Sequence, residues 1–172
     1  RAARITAART IDATGLIVAP GFIDPHTHTQ SDLSNASKRS NLDYIMQGVT
    51  TVATNNDGSG PVGIGAVLAR WDSTGIGTNA LLFVPQGSVR GTVMGMSDKT
   101  PTPAQLAAMK TLVDRGMRDG AFGLSTGLYY APGSYSTTEE VIDLAKVAAA
   151  HGGIYDTHQR DESSYTIGLL AS

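Results

Sequence analysis

The stretch Val18-Ala19-Pro20-Gly21-Phe22-Ile23-Asp24-Pro25-His26-Thr27-His28 decides how the chain is read. An apolar run leaves a Pro-Gly corner and ends in two histidines separated by one residue. Strand side chains alternate between faces, so His26 and His28 project to the same side. Two imidazoles on one face at a strand end can grip a divalent metal ion. The pair taken alone fits a surface or turn position equally well; its place at the end of an apolar strand is what brings a metal site forward. Asp24 lies on the same side. It is open to two roles, orienting an imidazole or metal, or capping backbone amides at the strand end.

Outward from this strand, the pattern alternates. Residues 49–54 form a β-branched run and 80–84 an apolar run ended by Pro85, while 121–125 and 154–158 read as two further strands. Helices are expected around 41–47 and 66–73. A longer one starts at Thr102, with Pro103 in its first turn and Gln105 completing a capping box, and stops at Gly120. Ser136 and Glu139 suggest a second capping box before a helix carrying Val141, Leu144 and Ala148.

Strands that recur at βα-unit length imply a parallel sheet joined by right-handed crossovers. A doubly wound sheet and a (β/α)8 barrel both satisfy that pattern. No G-x-G-x-x-G follows the first strand, and polar candidates gather after strands one, two, four and five. Sites assembled from many strand ends belong to barrels. The expected fold is therefore α/β: a (β/α)8 TIM-type barrel of which about the first five units are present. Residues 17–172 form the partial barrel, and residues 1–16 the tail of a small β layer.

Composition narrows the partners. The chain has 172 residues, 41% hydrophobic and 16% charged, with a net charge of −2 and no cysteine. That balance suits a globular domain with a sizeable core. It gives no electrostatic reason to expect nucleic acid, and no stretch approaches the length of a membrane span. Disulfides and thiolate zinc sites within the chain are excluded. The absence of a visible targeting segment makes a cytoplasmic location the expectation. The chain opens at Arg1 without Met and stops at Ser172, inside what reads as a new helix, so a fragment of a longer protein is expected.

Three further segments carry candidate chemistry. Asp57 follows the second strand in Asn55-Asn56-Asp57-Gly58, where a carboxylate leaning inward bridges metals and where Asn/Asp/Gly also make ordinary turns. The fourth strand leads to Leu128-Tyr129-Tyr130, whose hydroxyls suit a substrate carboxylate or simple loop packing. His158 ends the fifth strand in the layer of His26 and His28, a good third ligand. Arg160, Asp161 and Glu162 read as an ion-pair network at a helix start, and His151 as an ordinary helix C-terminal residue.

Together these motifs resemble a known family. Pro20-Gly21-Phe22-Ile23-Asp24-x-His26-x-His28 resembles the first-strand signature of the amidohydrolase superfamily, and Gly48-Val49-Thr50-Thr51-Val52 its second strand. Ala121-Phe122-Gly123-Leu124-Ser125-Thr126-Gly127-Leu128 and Thr157-His158-x-Arg160-Asp161-Glu162 resemble the N-acyl-D-amino-acid deacylase (D-aminoacylase) branch. The resemblance runs from about Ile11 to the chain end.

It implies a metallo-hydrolase barrel holding one or two Zn²⁺ ions, and makes the β layer of residues 1–16 the tail of a small β-sandwich built from both chain ends. His26 and His28 would serve the weaker metal position, His158 the tighter one, and Tyr130 the substrate carboxylate. Family members carry a metal-bridging Cys in a Gly-Asn-Cys-Gly segment; Asp57 stands at that place here. The family's strand-six histidine and catalytic aspartate would lie beyond Ser172. The implied activity is zinc-dependent hydrolysis of N-acyl-D-amino acids, small-molecule substrates, by a metal-activated water. A cyclic-amide amidohydrolase of the dihydroorotase or hydantoinase type is the alternative, though it would call for a carboxylated lysine after strand four, where Ser125 and Thr126 stand. A non-catalytic scaffold on the same fold is the alternative of another class.

Overall fold

A computed structural model describes residues 6–162. Its strands are β1 (Phe22–Asp24), β2 (Val49–Thr54), β3 (Asn79–Pro85), β4 (Gly123–Gly127) and β5 (Ile154–His158). Between them lie α1 (Gln30–Leu33), α2 (Leu42–Ile45), α3 (Ile64–Thr74), α4 (Gln86–Met94), α5 (Pro103–Arg118) and α6 (Thr138–Ala150). All pairings are parallel, and the strands lie in sequence order, β1-β2-β3-β4-β5.

That order separates the two architectures. A doubly wound sheet reverses direction at a switch point; this one never does. It also curls: Asn56, just past β2, donates a 2.9 Å hydrogen bond to Asp156 on β5, although β3 and β4 stand between those strands in the sheet. The five strands are the curled half of a (β/α)8 barrel, as expected.

The core lies between sheet and outer helices. Val52, Leu82, Val84 and Leu124 from the strands pack in one cluster with Ile64 and Trp71 of α3, Met109, Val113 and Met117 of α5, and Leu144 of α6. Gly116 lets α5 sit close: a Cβ there would come within 2.6 Å of Val84 Cγ2. The Thr102–Gln105 capping box at the start of α5 forms as expected.

Several elements differ from expectation. β1 is three residues long although the apolar run that leads to His26 starts at Val18, and residues 6–21 form no helix or strand. Helix α4 was not anticipated, because its buried positions include Gln86, Gly87 and Arg90, which apolar periodicity does not register. The cap of α6 is Thr137, whose hydroxyl accepts from Glu140 N, one residue later than the Ser136–Glu139 box. Ser136 is instead buried, donating to Glu140 Oε1 and accepting from Gln86 Nε2. The helix expected near Ser172 and the first five residues of the expected β-sandwich tail lie outside the described residues. Among the described residues, no helix is long and apolar enough to cross a membrane.

Candidate metal centre

The carboxyl ends of β1, β2, β4 and β5 converge on one point. β1 ends at Asp24, and Thr27 N donates to Ala53 O at 2.9 Å, stitching the His26-Thr27-His28 segment to β2. Thr27 is buried, and its hydroxyl also donates to Ala53 O. With Thr27 held down, the flanking histidines turn the other way. Their Nε2 atoms each lie 3.3 Å from the carboxylate of Asp57.

Asp57 arrives through an unusual backbone. Asn55 and Asp57 both have positive φ, 65° and 57°. Asn and Asp tolerate that conformation better than other side chains. The loop is not a solvated turn: Asn55 and Asn56 are buried. Ser125 of β4 locks it by donating to Asn55 O and accepting from Gly58 N. Gly127 provides the clearance, since a Cβ there would lie 2.1 Å from Asp57 O.

Asp57 Oδ1 is buried yet accepts no hydrogen bond among the described residues. The approach of His26 Nε2 to it, at 3.3 Å, is a close contact rather than a hydrogen bond. A buried, unsatisfied carboxylate oxygen is costly unless something positive faces it. Ligand atoms of His26, His28 and Asp57 all lie within 4.8 Å of one another. Two ligands bound at normal zinc distances on a tetrahedral ion stand roughly 3.3 Å apart. The donor set and its spacing therefore fit a divalent metal.

His158 reaches the same carboxylate from β5, its Nδ1 3.9 Å from Asp57 Oδ1. Its Nε2 lies 3.5 Å from Glu162 Oε1. Tyr130 packs beside it, ring centroids 4.8 Å apart, with Tyr129 at 5.8 Å. All five predicted site residues are thus gathered at one end of the sheet. Asp24 is not: its Oδ1 accepts from His26 N at 3.1 Å, the capping role.

Beside this group opens a cleft of about 540 Å³, lined among others by His28, Asp57, Gly91, Met96, Tyr130 and Pro132. Its wall is built on a buried polar lattice. Arg90 of α4 ion-pairs with Glu140 of α6 and donates to Ser97 O and Lys99 O, tying down the segment that carries Met96. Arg160 donates to Ser134 O and Ser136 O, bracing the turn after Tyr130 rather than only forming the ion pairs expected at a helix start. His151, at the end of α6, contacts Asp114 on the outer helices, away from the cleft.

Sequence reasoning passed over Asp156 and Asn56. Asp156 precedes His158 by two residues on β5, and period-two alternation would have placed both on the interior face. Asn56 carried no signal beyond its turn-like neighbours.

Comparison with known proteins agrees with this fold. The chain is 37% identical to the D-aminoacylase of Alcaligenes xylosoxydans xylosoxydans, across 93% of its own length and 37% of that relative's. It superposes on a D-aminoacylase crystal structure with a TM-score of 0.81 at 32% identity, covering 88% of this chain and 36% of that one. It superposes similarly, at a TM-score of 0.79 and 31% identity over the same shares, on the N-acyl-D-glutamate deacylase of Bordetella bronchiseptica, solved with zinc and a phosphonate mimic of the tetrahedral intermediate. The chain thus spans little more than a third of the length of the relatives it matches. A family model described as the amidohydrolase family matches residues 9–167, most of the sequence, and this chain belongs to that family.

Proposed function

We propose that this chain contributes the metal-holding part of an enzyme that hydrolyses N-acyl-D-amino acids to D-amino acids and carboxylates. The observation that carries the reading is the Asp57 carboxylate, buried, unsatisfied on Oδ1 and flanked by His26 and His28 beside an open cleft. Relatives named D-aminoacylase and N-acyl-D-aspartate deacylase, at 37% and 35% identity, supply the substrate class.

In this reading His26, His28, Asp57 and His158 would hold one or two zinc ions, which when bound would supply a water of lowered pKa and polarise the amide carbonyl. Asp57 brings one full negative charge to the site, where a thiolate stands in the branch the sequence resembles. Tyr130 donates its hydroxyl to the substrate carboxylate and fixes which face of the α-carbon is presented. The resemblance would place the general acid-base, an aspartate, on a later strand than the five described. Ser125 and Thr126 at the end of β4 are committed to hydrogen bonds with the Asp57 loop and with Tyr155 and Thr157, and neither supplies the lysine that a cyclic-amide site would use. We assign residues 1–16 to the tail of a small β-sandwich apart from the barrel at 17–172; the described part, residues 6–16, pairs with no strand of the barrel sheet and leaves Ile11 and Leu16 exposed.

The test is amino-acid release by the full protein from matched N-acetyl-D and N-acetyl-L substrates, with and without chelator. Release confined to the D series and abolished by chelation is expected. Release from neither series by the zinc-loaded protein would overturn the substrate class.

A further inference from the structure

Both ring nitrogens of His26 face carboxylates. Nε2 lies 3.3 Å from Asp57 Oδ1, and Nδ1 lies 3.7 Å from Asp156 Oδ1. A neutral imidazole carries one proton, and a nitrogen that carries it cannot bind a metal. The two carboxylates therefore compete to decide which nitrogen keeps its lone pair.

Asp156 is built for one side of that competition. It alternates with His158 along β5, so both face the barrel interior. Its second oxygen, Oδ2, accepts a 2.9 Å hydrogen bond from Asn56 Nδ2. Asn56 is itself fixed at both ends of its amide: Nδ2 also donates to Pro25 O at 3.2 Å, and Oδ1 accepts from Thr27 N at 3.3 Å. A flipped amide would set oxygen against oxygen at Pro25 and N–H against N–H at Thr27. The residues that grip Asn56, Pro25 and Thr27, are the two neighbours of His26 in sequence. One buried amide thus sets the position of the His26 backbone and of the carboxylate facing its ring.

We propose that Asp156, held by Asn56, is a positioning residue that keeps the proton of His26 on Nδ1 and leaves Nε2 free to bind the metal. The proposal rests on the metal-centre reading of this site and not on the identity of the substrate. The contact is longer than a hydrogen bond in this structure. With a cation held on Nε2, a small rotation of the imidazole would bring Nδ1–H within bonding reach of Asp156. Carboxylates in this position raise ligand basicity and hold the ring's orientation.

Two measurements on the full protein test this, neither using substrate. Zinc affinity by competition with a chromophoric chelator should fall about 10- to 100-fold in Asp156→Asn and Asp156→Ala, the range expected for loss of such a partner. Asn56→Ala should weaken zinc in the same direction. In the zinc-loaded wild type, the His26 Nδ1–H resonance, assigned by its loss in His26→Gln, should be downfield and protected from exchange with water. Zinc affinity within twofold of wild type in folded Asp156 variants would overturn the proposal. So would an unprotected His26 ring proton in the zinc-loaded wild type. Absence of deacylase activity would leave the assignment standing, whereas unchanged zinc affinity would sink it without touching the deacylase reading.

Discussion

Asp57 meets the two histidines of the first strand through different oxygens, Oδ1 towards His26 Nε2 and Oδ2 towards His28 Nε2, each at 3.3 Å. A thiolate has one sulfur with which to bridge; a carboxylate spreads the same task over two atoms. That difference makes the residue's identity testable. Asp57→Ala should lose most bound zinc, read by metal analysis after gel filtration, and with it hydrolysis. Asp57→Cys should retain zinc, because a thiolate is a strong ligand for that ion. Zinc retained in Asp57→Ala at the wild-type level would show that Asp57 does not hold the metal.

Gly127→Ala should damage the centre without altering any candidate ligand. The new Cβ would lie 2.1 Å from Asp57 O, and both partners are backbone-bound, so the loop must move. Zinc affinity should fall while the far-ultraviolet circular dichroism spectrum is retained.

Tyr130→Phe removes one hydroxyl beside the cleft and leaves the ring packed against His158. A hydrogen bond to a charged group contributes about 1.5–3 kcal/mol. KM for N-acetyl-D-amino acids should therefore rise about tenfold or more, with bound zinc unchanged. An unaltered KM would remove Tyr130 from carboxylate recognition.

The Arg90–Glu140 pair is fully buried, so truncating one member strands the other. Arg90→Met should destabilise the fold by about 3–5 kcal/mol. The double variant Arg90→Met, Glu140→Leu should recover part of that loss in thermal unfolding, since no buried charge is left alone.

On the outer surface, the His151 ring hydrogen-bonded to Asp114 holds that carboxyl below its usual range, against an opposing effect of burial and with help from Arg118. A depressed carboxylate stabilises above its unfolded pKa and loses that contribution as pH falls through the folded value. Asp114→Asn should accordingly be less stable than wild type at neutral pH. The gap should begin to close near pH 4, roughly the unfolded aspartate value, and vanish in stronger acid.

Legibility of the sequence followed the kind of force at work. Strand identity showed in β-branched and apolar runs, and the Thr102–Gln105 cap showed because its chemistry is local. Helix α4 did not, since Gln86 and Arg90 are buried by partners on α6 and in the preceding turn, more than 45 residues away, whose presence no local pattern announces. β1 read long because its apolar residues 17–23 have only β2 as a sheet neighbour among the described residues, and Ile17, Val18, Phe22 and Ile23 remain exposed. In the site, His26, His28 and His158 were visible from strand position. The role of Asn56 was hidden, because its three hydrogen-bond partners come from β5 and from the segment just after β1.

The Asn56–Asp156 bond also has a meaning in time. Its ends are separated by 100 residues of chain. During synthesis, β1 and β2 can pair while the rest is still being made, and His26, His28 and Asp57 are all present by then. The carboxylate that faces His26 Nδ1 is added only when β5 is complete. Contacts of such long sequence separation form late, after intervening loops have closed. A nascent chain of this family member would therefore carry His26, His28 and Asp57 first, and gain the carboxylate that faces His26 only once β5 has joined the sheet.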